Sequence, residues 1–246
     1  MSRIKGKVKK LVQRLGLNVN RYNVYNSPNA LLKKCLDCYR IDLVIDVGAN
    51  VGQYGIQLRD AGYQKRIISF EPLHGVFDKL TKTSVKYGNW EVFNYGVGAE
   101  NQELVINISD NLASSSFLNV THLSTEAAKG SQFKDTARTK IVRLDSFLPA
   151  HVKNHENIYL KIDVQGFETE VLKGIAAILS MIKVIQVEMS FVPLYEKGPL
   201  YDDIISWFTH RGFEIYTIIP GFRNPDSGRM LQADGIFIRG PSSGRD

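Results

Sequence analysis

From residue 41 onward the chain alternates short apolar runs with stretches of helical periodicity, and that alternation restricts the fold more than any other feature. The runs Ile41–Val47, Arg66–Phe70, Trp90–Tyr95, Ile158–Asp163, Val184–Met189, Phe213–Ile219 and Gly235–Arg239 predict strands, and 53–61, 73–87, 168–181 and 201–211 predict helices. The runs at 41–47 and 184–189 are almost continuously apolar, as strands buried on both faces must be. Strand–helix repetition with short connections predicts an α/β doubly wound sheet, mostly parallel. The rhythm breaks between 98 and 157. There Glu103–Ile108 and Lys140–Leu144 predict extra strands around a Ser/Thr-rich loop, an inserted β segment.

A chain of 246 residues, 43% hydrophobic and 23% charged, is of ordinary globular composition and fills one large domain. Two cysteines cannot staple a domain of that size, and Cys35 and Cys38 form a single C-x-x-C with no second pair to complete a zinc site. No apolar run reaches the ~20 residues of a spanning helix; the longest, Val171–Met189, is interrupted by Lys173, Lys183 and Glu188. The basic start lacks the apolar core of a secretory signal, so a soluble cytoplasmic protein is expected. The net charge of +6 is unevenly placed. Nine of the 31 bases precede Asp37, the first acid, and the remaining 22 face 25 acids. The expected organisation is a basic helical arm over 1–40, a ligand-binding domain over 41–239 and a frayed tail over 240–246. In the arm, Ile4, Val8, Leu11, Val12 and Leu15 recur at helical spacing opposite lysines and arginines. Such a helix either packs on the domain or lies peripherally on an anionic membrane. A second helix is expected from Ser27-Pro28 to about Tyr39. The acidic balance of the body argues against a nucleic-acid partner, and the sequence leaves monomer and homo-oligomer both open.

In an open α/β sheet, ligands bind beyond the carboxyl ends of the strands. The first strand delivers Asp46-Val-Gly48-Ala49-Asn50-Val-Gly52, a glycine turn without the G-x-G-x-x-G spacing that seats a pyrophosphate. Asp46 would repel a pyrophosphate and attract a cation; its plainer reading is a cap on the turn. The second strand ends in Phe70-Glu71-Pro72, with Glu71 19 positions after Gly52, the interval at which a carboxylate accepts both ribose hydroxyls. Glu71 is equally placed to cap the helix near residue 73. Together the two acids and the turn describe an adenosine ligand with a positive tail, which S-adenosylmethionine fits. Lys161 and Asp163 share a strand face, either as a structural pair or at the site, and Glu188 ends the next strand on the same rim.

DVGANVG, the FEP corner, NYGVG at 94–98, RLDSF at 143–147 and above all LKIDVQGFETEVLKG at 160–174 resemble the FkbM family of methyltransferases over about residues 41–239. The resemblance implies a class I S-adenosylmethionine-dependent fold, a Rossmann-like seven-stranded sheet with an antiparallel last strand. It also implies O-methylation of a hydroxyl on a sugar, glycan or natural product. Carried over, Asp46, Gly48, Ala49, Asn50 and Gly52 would hold the methionyl end, Glu71 and Pro72 the ribose, and Asn94, Tyr95 and Gly96 the adenine, with Asp163 near the transfer site. Gln165 stands where the family leads one to expect glutamate. An unactivated hydroxyl must lose its proton during attack, so a general base is required. The candidates are Asp163 first, then Glu188 and His74. No histidine–carboxylate ligand spacing is present, so metal-independent transfer is expected. The competing readings are a nicotinamide-dependent oxidoreductase and a non-catalytic cofactor-binding module on the same fold. Phe191, Tyr195, Tyr201 and Trp207 either line an acceptor pocket or pack a helix on the sheet. Ser114–Ser116 and the loop Pro220–Met230, with Arg223 and Arg229, are candidates to cover the site.

Overall fold

The computed structural model describes residues 10, 12–17, 21–153 and 155–240. Most of the amphipathic N-terminal helix expected over 1–17 lies outside them, with 12–14 helical, and so does the tail from 241. Among the described residues no helix is long and apolar enough to cross a membrane.

Helix α1 (Pro28–Cys38) starts where expected: Ser27 Oγ accepts from the Ala30 N–H at 3.3 Å and proline occupies the first turn. Then β1 (Leu43–Val47), α2 (Gln53–Asp60), β2 (Arg66–Phe70), α3 (His74–Tyr87) and β3 (Trp90–Phe93) follow in strict alternation. The insertion forms its own three-stranded sheet from β4 (Gly96–Val97), β5 (Gln102–Ser109) and β6 (Phe133–Val142), with α4 (His122–Ala127) on the connecting loop and α5 (Leu144–Phe147) after it. Strand β6 starts well before the expected Lys140. Its first half, Phe133–Thr139, is polar and mostly exposed on an antiparallel pair with β5, so it lacks the apolar signal of a buried strand.

The chain then returns to the main sheet through β7 (Ile158–Ile162), α6 (Glu168–Lys173), β8 (Ile182–Ser190), α7 (Tyr201–Thr209), β9 (Phe213–Pro220) and β10 (Gln232–Arg239). The helix expected over 168–181 is broken at Gly174, where a Cβ would lie 2.1 Å from the Gly98 carbonyl oxygen; a 3-10 turn over Ala176–Met181 follows. The seven strands run in the order β3-β2-β1-β7-β8-β10-β9. All neighbours are parallel except β10, which inserts antiparallel between β8 and β9. This is the class I, Rossmann-like arrangement. Order reverses between β1 and β7, and the crevice at that switch point is where a ligand seats.

Both faces are covered. One core packs Leu43, Ile45, Leu160 and Ile185 under α6 and α7, and the other packs Val44, Tyr159, Val184 and Ile236 under α1, α2 and α3. One layer below the carboxyl edge, the second face carries polar side chains in register: Ser69, Asp46, Lys161 and Gln186 lie side by side across β2, β1, β7 and β8. Such a row costs several kcal/mol of desolvation unless every member is matched. Lys161 and Gln186 of this row reach the site, while Asp46 and Ser69 stay buried beneath it.

Candidate active site

A cavity of about 460 Å³ opens over the carboxyl ends of β1, β2, β7 and β8, within the usual range for a small-molecule site. The β1–α2 turn forms its lip. Gly48 has φ +81 and lies so close to β7 that a Cβ would come within 1.8 Å of the Asp163 carbonyl oxygen, so only glycine closes this seam. The loop N–H groups already have acceptors. Gly48 and Ala49 donate to the Phe70 carbonyl, Asn50 to Glu71 Oε2, Val51 to Asn50 Oδ1 and Gly52 to the Ala49 carbonyl. With those donors taken, the turn has no nest for a pyrophosphate, which removes the physical basis of the nicotinamide alternative.

Glu71 lines the cavity while only 5% exposed. Its Oε2 accepts from Asn50 N at 2.9 Å and Oε1 from Leu73 N at 2.9 Å, so it braces the glycine turn and caps the entry to α3. Each oxygen, with one donor engaged, retains the capacity to accept a further hydrogen bond. Burial raises its carboxyl to about 7, against the pull of the two backbone donors. Pro72, Tyr95 and Gly96 also line the cavity. The insertion contributes Leu112, Ala113, Ser115 and Phe117 to the lining; of the two segments expected to cover the site, Ser115 reaches the cavity from 114–116 and no residue of Pro220–Met230 does.

Asp163 lies at the β7 edge with its side chain 31% exposed. Its backbone N–H donates to the Val47 carbonyl at 3.1 Å, Lys161 Nζ reaches Oδ2 at 3.2 Å, and Gln165 Nε2 donates to Oδ1 at 2.7 Å. Lys161 also stands 3.3 Å from Asp46 Oδ1 and 5.4 Å from the Tyr54 ring. Burial alone would lower the Lys161 ammonium; the Asp163 and Asp46 carboxylates outweigh it and hold the group protonated. Glu188 Oε2 accepts from Gln165 Nε2 at 2.8 Å and from Gln232 Nε2 at 2.7 Å. Burial first, and the Asp163 charge second, push its carboxyl well above the ordinary value.

Several expected site residues are displaced by the fold. Asp46 is completely buried beneath the turn and does not line the cavity; it anchors Lys161 and sits 3.4 Å from Ser69 Oγ. Gly52 is the left-handed N-cap of α2 and faces Trp90, Leu80 and Thr83. Asn94 turns away from the cavity, its Nδ2 donating to the Glu71 and Pro72 carbonyls and so holding the FEP corner. His74 begins α3 with its side chain 81% exposed, 4.0 Å from Asp78 and outside the cavity, because the helix start points that position at solvent. Phe191, Tyr201 and Trp207 do not line the cavity either: Phe191 packs on Tyr201 at 5.2 Å and Trp207 on Phe208. Tyr195 supports the site from behind by donating to Gln165 Oε1 at 2.5 Å. Arg223 is turned back onto the Gly228 carbonyl of its own loop.

The structure also brings in residues that linear reading passes over. Tyr54 and Tyr159 both donate to Gln186 Oε1, at 2.8 and 2.7 Å, and Asp234 on β10 faces Glu188 directly across the antiparallel ladder. Tyr54, Gln186 and Asp234 extend the cavity beyond the turn towards α1. A glutamine inside the apolar run of β8 was the one local sign of this arm.

A sequence profile described as "Methyltransferase FkbM domain" matches residues 46–215. The protein "Methyltransferase 1" of Beauveria bassiana (strain ARSEF 2860) is 24% identical over 191 residues, 67% of this chain and 76% of that protein. Among solved structures, an rRNA methylase from Streptococcus thermophilus superposes with TM-score 0.48 at 12% identity, covering 88% of this chain and 98% of that one. Aeropyrum pernix fibrillarin, in complex with natively bound S-adenosyl-L-methionine, gives 0.47 at 13% identity, covering 85% and 73%.

Proposed function

The chain belongs to the FkbM family of methyltransferases, with S-adenosylmethionine as methyl donor, and from that premise we propose that it methylates a hydroxyl oxygen of a sugar, glycan or natural-product acceptor. Bound in the cavity, the donor supplies a methyl group already activated on a sulfonium. The chain's own residues fit it. Gly48, Ala49 and Asn50 line the cavity where they would hold the methionyl end, Glu71 would accept from the ribose hydroxyls, and Tyr95 and Gly96 would flank the adenine.

The observation that carries the proposal is Asp163. It is a half-buried carboxylate beside the glycine turn, oriented by a lysine on one oxygen and an amide on the other, and open to the cavity. A group so held accepts the proton that an acceptor alcohol must lose as it attacks. Lys161 Nζ lies 3.2 Å from its Oδ2, and Glu188, bonded to the same Gln165 amide, is the second acid. The remaining catalytic demand is alignment, which rigid strand ends supply. Besides Asp163 and Glu188 the lining carries Glu71 and Asp234, while its one lysine is engaged by two acids; this favours a neutral acceptor over a phosphate-bearing one.

Calorimetric titration with S-adenosylmethionine on wild type and Glu71→Ala, followed by methyl-transfer assays on hydroxylated acceptors with Asp163→Asn, tests the reading. We expect binding that collapses in Glu71→Ala. In Asp163→Asn, binding should survive while transfer falls by roughly 10²–10⁴. Full transfer activity in Asp163→Asn would remove Asp163 as the base.

A further inference from the structure

Gln165 occupies a place between two carboxylates that a cation would ordinarily take. It follows β7 in the left-handed region, φ +54, immediately before Gly166 at φ +95. A non-glycine residue there costs on the order of 1 kcal/mol unless its surroundings hold it. Four hydrogen bonds do so. Ser116 Oγ, from the insertion, donates to its carbonyl at 2.6 Å, and the Tyr195 hydroxyl donates to Oε1 at 2.5 Å. Its Nε2 then donates to Asp163 Oδ1 at 2.7 Å and to Glu188 Oε2 at 2.8 Å. In this orientation the amide N–H groups meet the two acids and the amide oxygen meets the Tyr195 hydroxyl.

Two carboxylates brought this close in a partly buried site normally share a proton or a cation. Lys161 serves Asp163 and Asp46, not Glu188. The donors to Glu188 are the neutral amides of Gln165 and Gln232. We infer that the Gln165 amide is a positioning bridge that holds Asp163 and Glu188 together in place of a divalent cation and thereby keeps metal out of the site. The inference rests on the methyl-transfer reading only for the role of Asp163. It predicts that the position is one substitution away from a metal site. Gln165→Glu puts a third carboxylate at the junction, leaves Tyr195 a partner, and creates the all-oxygen environment that hard divalent cations prefer.

The test uses the full chain and manganese(II) as probe, followed by electron paramagnetic resonance and by thermal melting with and without the metal. Wild type should bind little manganese and melt at the same temperature in its presence. Gln165→Glu should bind about one equivalent at least ~10-fold more tightly than wild type and be stabilised by it, as linkage requires. The double variant Asp163→Asn/Gln165→Glu should lose that gain. Should Gln165→Glu fail to fold, Gln165→Ala carries the test: it opens the junction without adding charge and should still bind manganese more tightly than wild type. Manganese binding by wild type that Asp163→Asn abolishes would overturn the inference. So would folded variants with no gain in affinity. S-adenosylhomocysteine titrations on the same samples separate the two readings. Failure to bind it, with the manganese pattern as expected, would defeat the methyl-transfer reading and leave the bridge standing.

Discussion

Replacing Gly48 with alanine tests whether the seam between β1 and β7 holds the site together. The added Cβ would lie 1.8 Å from the Asp163 carbonyl oxygen and 2.9 Å from its carbon, so the strand ends must part by about 1.6 Å to reach ordinary contact. Neither obstacle is a flexible side-chain tip; both are backbone. The φ of +81 adds about 1–2 kcal/mol for a residue with a Cβ, and forced repacking adds about 1–3 kcal/mol. Parting the seam also threatens the Asp163 N–H to Val47 carbonyl bond of 3.1 Å, worth about 1 kcal/mol. The total is roughly 3–6 kcal/mol. At about 2–4 °C per kcal/mol for a domain of this size, the melting point should fall by roughly 6–24 °C. Because Asp163 and the turn move apart together, affinity for S-adenosylhomocysteine should drop by at least ~10-fold, equivalent to about 1.4 kcal/mol. Scanning calorimetry and titration measure both. A melting point within about 2 °C of wild type with undiminished affinity would refute the claim that this contact sets the geometry of the site.

Three other outcomes follow from the same geometry. Glu71, raised to about 7 by burial, should make S-adenosylhomocysteine binding tighten as pH rises through that value, since only the carboxylate accepts both ribose hydroxyls. The stability that this group contributes runs the other way, present in full below its unfolded value near 4.5 and lost as pH rises through about 7, so ligand-induced stabilisation should grow with pH. Glu71→Gln should flatten the binding profile, and an unchanged slope would exclude Glu71 as its source. Lys161→Met strands Asp46 as a buried charge and should cost about 3–5 kcal/mol in denaturant melts, of which Asp46→Asn in the same chain recovers a part; equal losses in single and double variants would show that the pair is uncoupled. His74→Ala should change stability by no more than about 0.5 kcal/mol and leave transfer rates intact, whereas a hundredfold loss would return His74 to the site.

Local chemistry made much of this protein readable. The seven strands of the main sheet, the Ser27–Pro28 helix start and the glycine turn all follow from periodicity and side-chain type within about ten residues, the range over which backbone preference acts. Asp163, Glu188 and Glu71 were legible for the same reason: each ends an apolar run, and strand ends in such a sheet face its ligand crevice. Helix 168–181 and strand β6 depart from local expectation where tertiary contacts decide. Gly174 is pressed against Gly98 from a distant loop, and the polar half of β6 is held by its partner strand.

What only the tertiary structure decided is which side chains meet. Asp46 and Asp163 both look like site acids in the sequence, yet the register of β1 with β7 buries the first under Lys161 and leaves the second at the rim. Tyr54 and Gln186 are 132 positions apart and share a hydrogen bond, and Asp234 comes beside Glu188 because β10 inserts between β8 and β9. The amide bridge of Gln165 depends on Ser116, Tyr195 and Glu188, three segments that no spacing connects. The sequence determined which elements form, because their preferences are short-ranged. Strand order and register determined the chemistry of the cavity, because they set which polar groups lose water together and must therefore satisfy one another.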